Sequence, residues 1–151
     1  MVSNTIKDRS SSLSYNFIDK AITLYWKLKD KRIILKRNVI IKSKVEFRLS
    51  DNARLIIGEN SIVQNYAFFH LTKPSPLLEI GKGVVIGRFN IIAVKKYLKI
   101  GDYTRIGSFV QIIDHGHNFV KGEYIKNQKA KIKPIYIGSD VWIGFKRCKN
   151  W

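Results

Sequence analysis

Aliphatic-glycine pairs recur along this chain at six-residue spacing, and no other feature restricts its fold as much. Ile57-Gly58, Ile80-Gly81, Ile86-Gly87, Ile100-Gly101, Ile106-Gly107, Ile137-Gly138 and Ile143-Gly144 account for seven of the ten glycines. With 23 isoleucines in 151 residues, random order would put Ile before only about one or two of them, so the repeat is real. The phase persists where glycine is missing: Ile57, Val63, Phe69; then Ile80, Ile86, Ile92; then Ile100, Ile106, Ile112; then Ile137, Ile143. An aliphatic side chain every sixth residue points inward from each short strand, and the small residue after it lets the backbone turn tightly. One repeat cannot bury its own apolar position, so the coils must stack. An all-β solenoid is therefore expected over residues 33–147, built from β-prone pieces such as Val39-Ile40-Ile41, Val45-Glu46-Phe47 and Leu55-Ile56-Ile57.

Residues 1–32 read differently. Residues 1–12 are polar, and Ser12 or Ser14 is placed to cap a helix over Tyr15 to Lys29. Its apolar residues Phe17, Ile18, Ala21, Ile22, Tyr25 and Leu28 recur at helical spacing, with Lys20, Lys27 and Lys29 mostly off the stripe. Such a short amphipathic basic helix either packs on the end or side of the solenoid or meets an anionic membrane surface or partner.

Lys and Arg number 28 against 11 Asp and Glu, a net charge of +17. This charge attracts polyanions such as nucleic acid, anionic lipid or phosphorylated substrates, or is simply a solvated lysine surface. No zinc-finger, helix-turn-helix or RNP-like pattern accompanies it, so nucleic acid is not expected as a partner. The single Cys148 leaves no intrachain disulfide to form, and with no long apolar run or signal-peptide pattern a cytoplasmic protein is expected.

The repeated aliphatic-Gly unit resembles that of the hexapeptide-repeat acyltransferases over about residues 39 to 147. The resemblance implies a left-handed parallel β-helix with three hexapeptides to a coil, against the usual right-handed crossover. Hexapeptide repeats also occur in carbonic anhydrase-like and purely structural β-helices, so the fold does not fix the chemistry. Against an eighteen-residue coil, the step from Ile57 to Ile80 carries five extra residues around Thr72 to Pro76. The step from Ile80 to Ile100 carries two near Lys95 and Lys96, and that from Ile100 to Ile137 carries nineteen. One coil is interrupted by a protruding loop over about 115–136, and loops of that length are commonly functional.

That loop starts at Asp114-His115-Gly116-His117, the sharpest chemical feature of the chain. A neutral imidazole suits proton abstraction from a hydroxyl near neutral pH. Asp114 or a backbone carbonyl would fix its tautomer, although neighbours on a strand point to opposite faces. Two histidines at i and i+2 are an alternative metal pair, but no Cys lies near and no metal is expected. The segment resembles the DHxH stretch of sugar and antibiotic O-acetyltransferases. By that resemblance His115 is the catalytic base, deprotonating an acceptor hydroxyl that attacks acetyl-CoA, and His117 has a supporting role.

Two further stretches carry the same resemblance. Gly87-Arg88-Phe89-Asn90 is similar to the segment that places an acceptor-contacting Asn, making Asn90 a candidate for orienting a sugar hydroxyl or, alternatively, an Asn stacked at a solenoid corner. Asp140-Val141-Trp142-Ile143-Gly144 is similar to the (N/D)VWIG element whose Trp flanks the site; the alternative is that Trp142 covers the wall. After it the family continues with further coils that supply much of the acetyl-CoA groove, whereas this chain reads Phe145-Lys146-Arg147-Cys148-Lys149-Asn150-Trp151. The resemblance therefore implies a C-terminally shortened chain with an aberrant tail at 148–151 and little transferase activity on its own. What it implies in full is a homotrimer that acetylates a sugar or glycolipid acceptor, in surface polysaccharide synthesis, at the inner membrane surface. The other reading is an inactive fragment or a structural β-helix.

Overall fold

Strands come three to a coil in the computed structural model, which describes residues 16–145. The expectations for residues 1–12 and 148–151 lie outside that range. The first coil is β1 (Ile33–Leu35), β2 (Ile40–Ile41) and β3 (Glu46–Leu49), and the second is β4 (Arg54–Ile57), β5 (Ile62–Val63) and β6 (Phe68–Leu71). The third is β7 (Leu77–Ile80), β8 (Val85–Ile86) and β9 (Ile91–Val94), and the fourth is β10 (Tyr97–Ile100), β11 (Arg105–Ile106) and β12 (Gln111–Ile113). After a hairpin of β13 (His115–Gly116) and β14 (Lys131–Ile132), a further coil supplies β15 (Ile135–Ile137) and β16 (Trp142–Ile143).

Like strands of successive coils pair in parallel, giving three faces: β1-β4-β7-β10-β15, β2-β5-β8-β11-β16 and β3-β6-β9-β12. Ile57 pairs with Ile80, Ile80 with Ile100, and Ile100 with Ile137, so the aliphatic positions spaced along the sequence are stacked in space. Their side chains form one core running through the solenoid, with Ile57, Phe69, Ile86 and Ile100 almost wholly buried. Each such side chain contributes about 1.5–3 kcal/mol by leaving water. The wall starts at Ile33, ahead of Val39 where the family resemblance begins, because Leu35 and Ile41 fill inward positions with no glycine after them.

The glycines do not do what their place in the repeat suggests. None of Gly58, Gly81, Gly87 and Gly101 has a positive φ. The left-handed residue comes three positions after the inward aliphatics of the first two faces instead, at Asn38, Lys44, Asn60, Tyr66, Gly83, Phe89, Tyr103, Phe109 and Asp140. What demands glycine is the neighbouring coil. A Cβ on Gly58 or Gly101 would lie 2.4 Å from the carbonyl carbon of Gly81 or Gly138, and one on Gly87 would lie 2.6 Å from that of Gly107. Aromatic side chains at the left-handed positions stack outside one corner, Tyr66 on Phe89 at 4.8 Å and Phe89 on Phe109 at 4.9 Å.

Helix α1 (Phe17–Lys29) is capped by Asn16, which accepts from Asp19 N; Ser12 and Ser14 lie outside the described residues. It closes the open end of the first coil, but through Asp19, Ile22, Thr23 and Trp26. Most of the apolar stripe, Phe17, Ile18, Ala21, Tyr25 and Leu28, faces outward. The reason is that a coil end presents unpaired backbone groups, which an apolar face cannot satisfy. Thr23 Oγ1 accepts the Ile41 N–H at 2.9 Å, Asp19 takes the Lys42 ammonium, and Trp26 meets Phe47 edge-on at 4.8 Å. At the helix exit Arg32 grips Asp30 in two places and donates to the carbonyls of Leu49 and Ser50. That grip holds the Asp30 carboxyl below its usual range.

The coil-contact account of the glycines makes a comparison possible. Gly87→Ala should lower stability in urea melts by about 1–3 kcal/mol through overpacking. Gly138→Ala, where an added Cβ meets only Val141 at 3.7 Å, should stay within about 0.5 kcal/mol of wild type. Equal losses at both positions would contradict the account.

Candidate active site

Connections between the third face and the first differ widely in length, and all leave at one corner: 50–53, 72–76, 95–96 and 114–134. The last leaves the wall after Ile113 and rejoins it at Ile135. Its root is an antiparallel pairing of His115 with Ile132 and of Gly116 with Lys131, extended by Lys133 N donating to Asp114 O at 2.9 Å. Farther out, Gln128 ties the loop to itself through Val120 N, Val120 O and Glu123 O.

Asp114 sits where the chain bends off the wall, between β12 and β13, and its side chain is fully buried. Oδ1 accepts Lys95 N at 2.8 Å, while Oδ2 accepts Lys96 N at 2.7 Å and Tyr97 N at 3.2 Å. The carboxylate thus closes the two-residue corner of the third coil. The bend also undoes strand alternation, and His115 Nδ1 reaches Asp114 Oδ1 at 2.9 Å. A carboxylate only accepts, so Nδ1 carries the proton and Nε2 of the neutral ring holds a lone pair. His115 keeps 22% of its side-chain surface exposed, enough for a substrate hydroxyl to reach it.

The cleft beside this pair measures about 240 Å³ and is lined by Ile113, Asp114, His115, Gly116, His117, Lys131, Lys133 and Ile135. His115 and His117 share it. Lys131 and Lys133 carry no chemical motif in the sequence, yet both line this cleft: Lys131 pairs with Gly116 across the hairpin, and Lys133, just past β14, donates its N–H to Asp114 O. Their alternation in Lys129-Ala130-Lys131-Ile132-Lys133 is the signal that identifies them. Nearby, the Tyr97 hydroxyl donates to Glu79, which pushes the phenol up to about 12 and keeps it protonated. Among the described residues no three His, Cys, Asp or Glu side chains gather into a metal-binding group.

Asn90 and Trp142 are not in this cleft. Asn90 is buried between coils: Nδ2 donates to Gly87 O and Gly107 O, and Oδ1 accepts Val110 N. Ser61 and Thr104 occupy the equivalent position after other left-handed residues and bridge coils in the same way, through Gly81 O and Gly138 O. Trp142 lies on β16, on the second face, with 79% of its surface exposed. A separate 270 Å³ cleft at the same corner, two coils away, is lined in part by Arg48, Ser50, His70, Thr72 and Lys73.

No family model matches the chain. The chain is similar to "Probable acetyltransferase Rv3034c" of Mycobacterium tuberculosis (strain ATCC 25618 / H37Rv), with 30% identity over 125 residues. The likeness is to an acetyltransferase. It covers 82% of this chain but 41% of the mycobacterial protein, so the chain spans less than half the length of that relative. The similarity and the β-solenoid together fit a hexapeptide-repeat acetyltransferase.

The two members of the pair should separate in stability. Asp114→Ala strands three backbone N–H groups, and unpaired buried donors cost about 1–3 kcal/mol. His115→Ala should change the melt by no more than about 1 kcal/mol. Equal melting of both variants would show that Asp114 does not hold the corner.

Proposed function

We propose that the chain carries acyl transfer from acetyl-CoA to a hydroxyl, with His115 as general base. The observation that supports this most is the Asp114–His115 contact at the root of the hairpin: a buried carboxylate holds the ring by Nδ1, and the partly exposed ring lines the cleft. In the proposed step Nε2 takes the proton of the acceptor hydroxyl, whose oxygen attacks the thioester carbonyl carbon. As the C–S bond breaks, the proton passes to the departing thiolate, leaving an ester and free CoA. Proton transfer of this kind contributes about 10²–10⁴-fold.

The acceptor is proposed to be a sugar or glycolipid hydroxyl, and the assembly a homotrimer in which His115 of one chain faces the next. The hairpin's exposed Phe119, Val120, Tyr124 and Ile125 support a neighbouring subunit there. Lys131 and Lys133 suit an anionic group on either substrate. Asn90 is better assigned to the wall, since both its N–H bonds and its carbonyl are engaged between coils.

The decisive readout is the dependence of turnover on His115. Acceptor-dependent thiol release from acetyl-CoA should fall about 10²–10⁴-fold in His115→Ala. Release that survives the substitution would remove His115 from the step, and no release with any sugar acceptor would favour a structural β-helix.

A further inference from the structure

The outward face of α1 is apolar with lysines along both borders. Phe17, Ile18, Ala21, Leu24, Tyr25 and Leu28 fall within one arc of the helix and are all exposed, Phe17 at 84% and Leu28 at 74%. At 100° per residue, Lys20 and Lys27 fall just beyond one edge of that arc and Lys29 just beyond the other. The opposite side is occupied by the first coil, so this face is not spare core surface. Asp19, the sole acid between Phe17 and Lys29, is turned inward against Lys42.

We propose that this face seats α1 in the interfacial region of an anionic lipid bilayer, with the helix axis in the membrane plane. Thirteen residues make a helix about 20 Å long, too short to span, and no helix among the described residues is long and apolar enough to cross. An apolar arc bordered by lysines is what an in-plane helix requires. The rings and leucines enter the acyl boundary while the lysine stems reach up to the headgroups. The competing occupant is a second copy of the helix, because Phe17, Ala21, Leu24 and Leu28 also follow a heptad seam. In that register Lys20 and Lys27 flank the seam, and the flanking positions across from them would be Ile18 and Tyr25, with no carboxylate to meet either ammonium. Anionic headgroups supply the charge that a second copy lacks.

The inference stands apart from the proposed chemistry, because it needs no turnover. The full chain is sedimented with vesicles of phosphatidylcholine plus phosphatidylglycerol, and with phosphatidylcholine alone. It should sediment with the first and remain in solution with the second. Lys27→Gln should weaken partition about fivefold, and Leu24→Glu with Leu28→Glu on the order of a hundredfold. Both changes are at exposed positions, so circular dichroism and solution mass should match wild type. The proposal is overturned if wild type ignores the anionic vesicles, if it binds both kinds equally, or if the double variant binds undiminished. A fall in solution mass in the double variant would also overturn it, by showing that a second copy covers the face.

Discussion

Successive coils of this protein run so close together that at Gly58, Gly81, Gly87 and Gly101, each directly after an inward aliphatic, there is no room for a side chain. The parallel ladders bring Gly58 against Gly81, Gly81 against Gly101 and Gly101 against Gly138, with backbone atoms of the next coil, and at Gly81 the Asp102 carboxylate as well, where a Cβ would stand. Once that spacing is set, the remaining features follow. The inward aliphatics stack into one column, the outward turn residues stack into a second, and polar side chains at the corners bridge to backbone groups of the next coil. Ser61, Asn90 and Thr104 are three instances of the last.

How much of this could be read from the chain depends on which contact carried the information. The six-residue phase reports burial directly, and residues that it aligned, such as Ile57, Ile80 and Ile100, are ladder partners. The turns were illegible because eight of the nine left-handed repeat positions are not glycine. Tyr66, Phe89 and Phe109 hold that conformation where each can stack on the next ring. Which side of the helix meets the coil was illegible for a related reason. Its periodicity correctly marked an apolar face, but the end of a coil needs hydrogen-bonding partners more than it needs hydrocarbon, and the side bearing Asp19, Thr23 and Trp26 prevailed.

The candidate site combines both kinds of information. Spacing locates the interruption after Ile112, and residue type marks His115. Neither shows that Asp114 reaches backward to three N–H groups of the coil beside it and sideways to the imidazole, because that depends on a bend where strand alternation ceases. One buried carboxylate thereby couples the integrity of the wall to the orientation of the ring. Lys131 and Lys133 enter the cleft only because the hairpin folds back in register.

That coupling is the centre of the account, and the tautomer of His115 tests it most directly. Long-range proton–nitrogen correlation spectra of the labelled protein, recorded where the ring is neutral, distinguish a proton on Nδ1 from one on Nε2. The Asp114 contact predicts the Nδ1–H form with an unprotonated Nε2, and a ring protonated at Nε2 would contradict it.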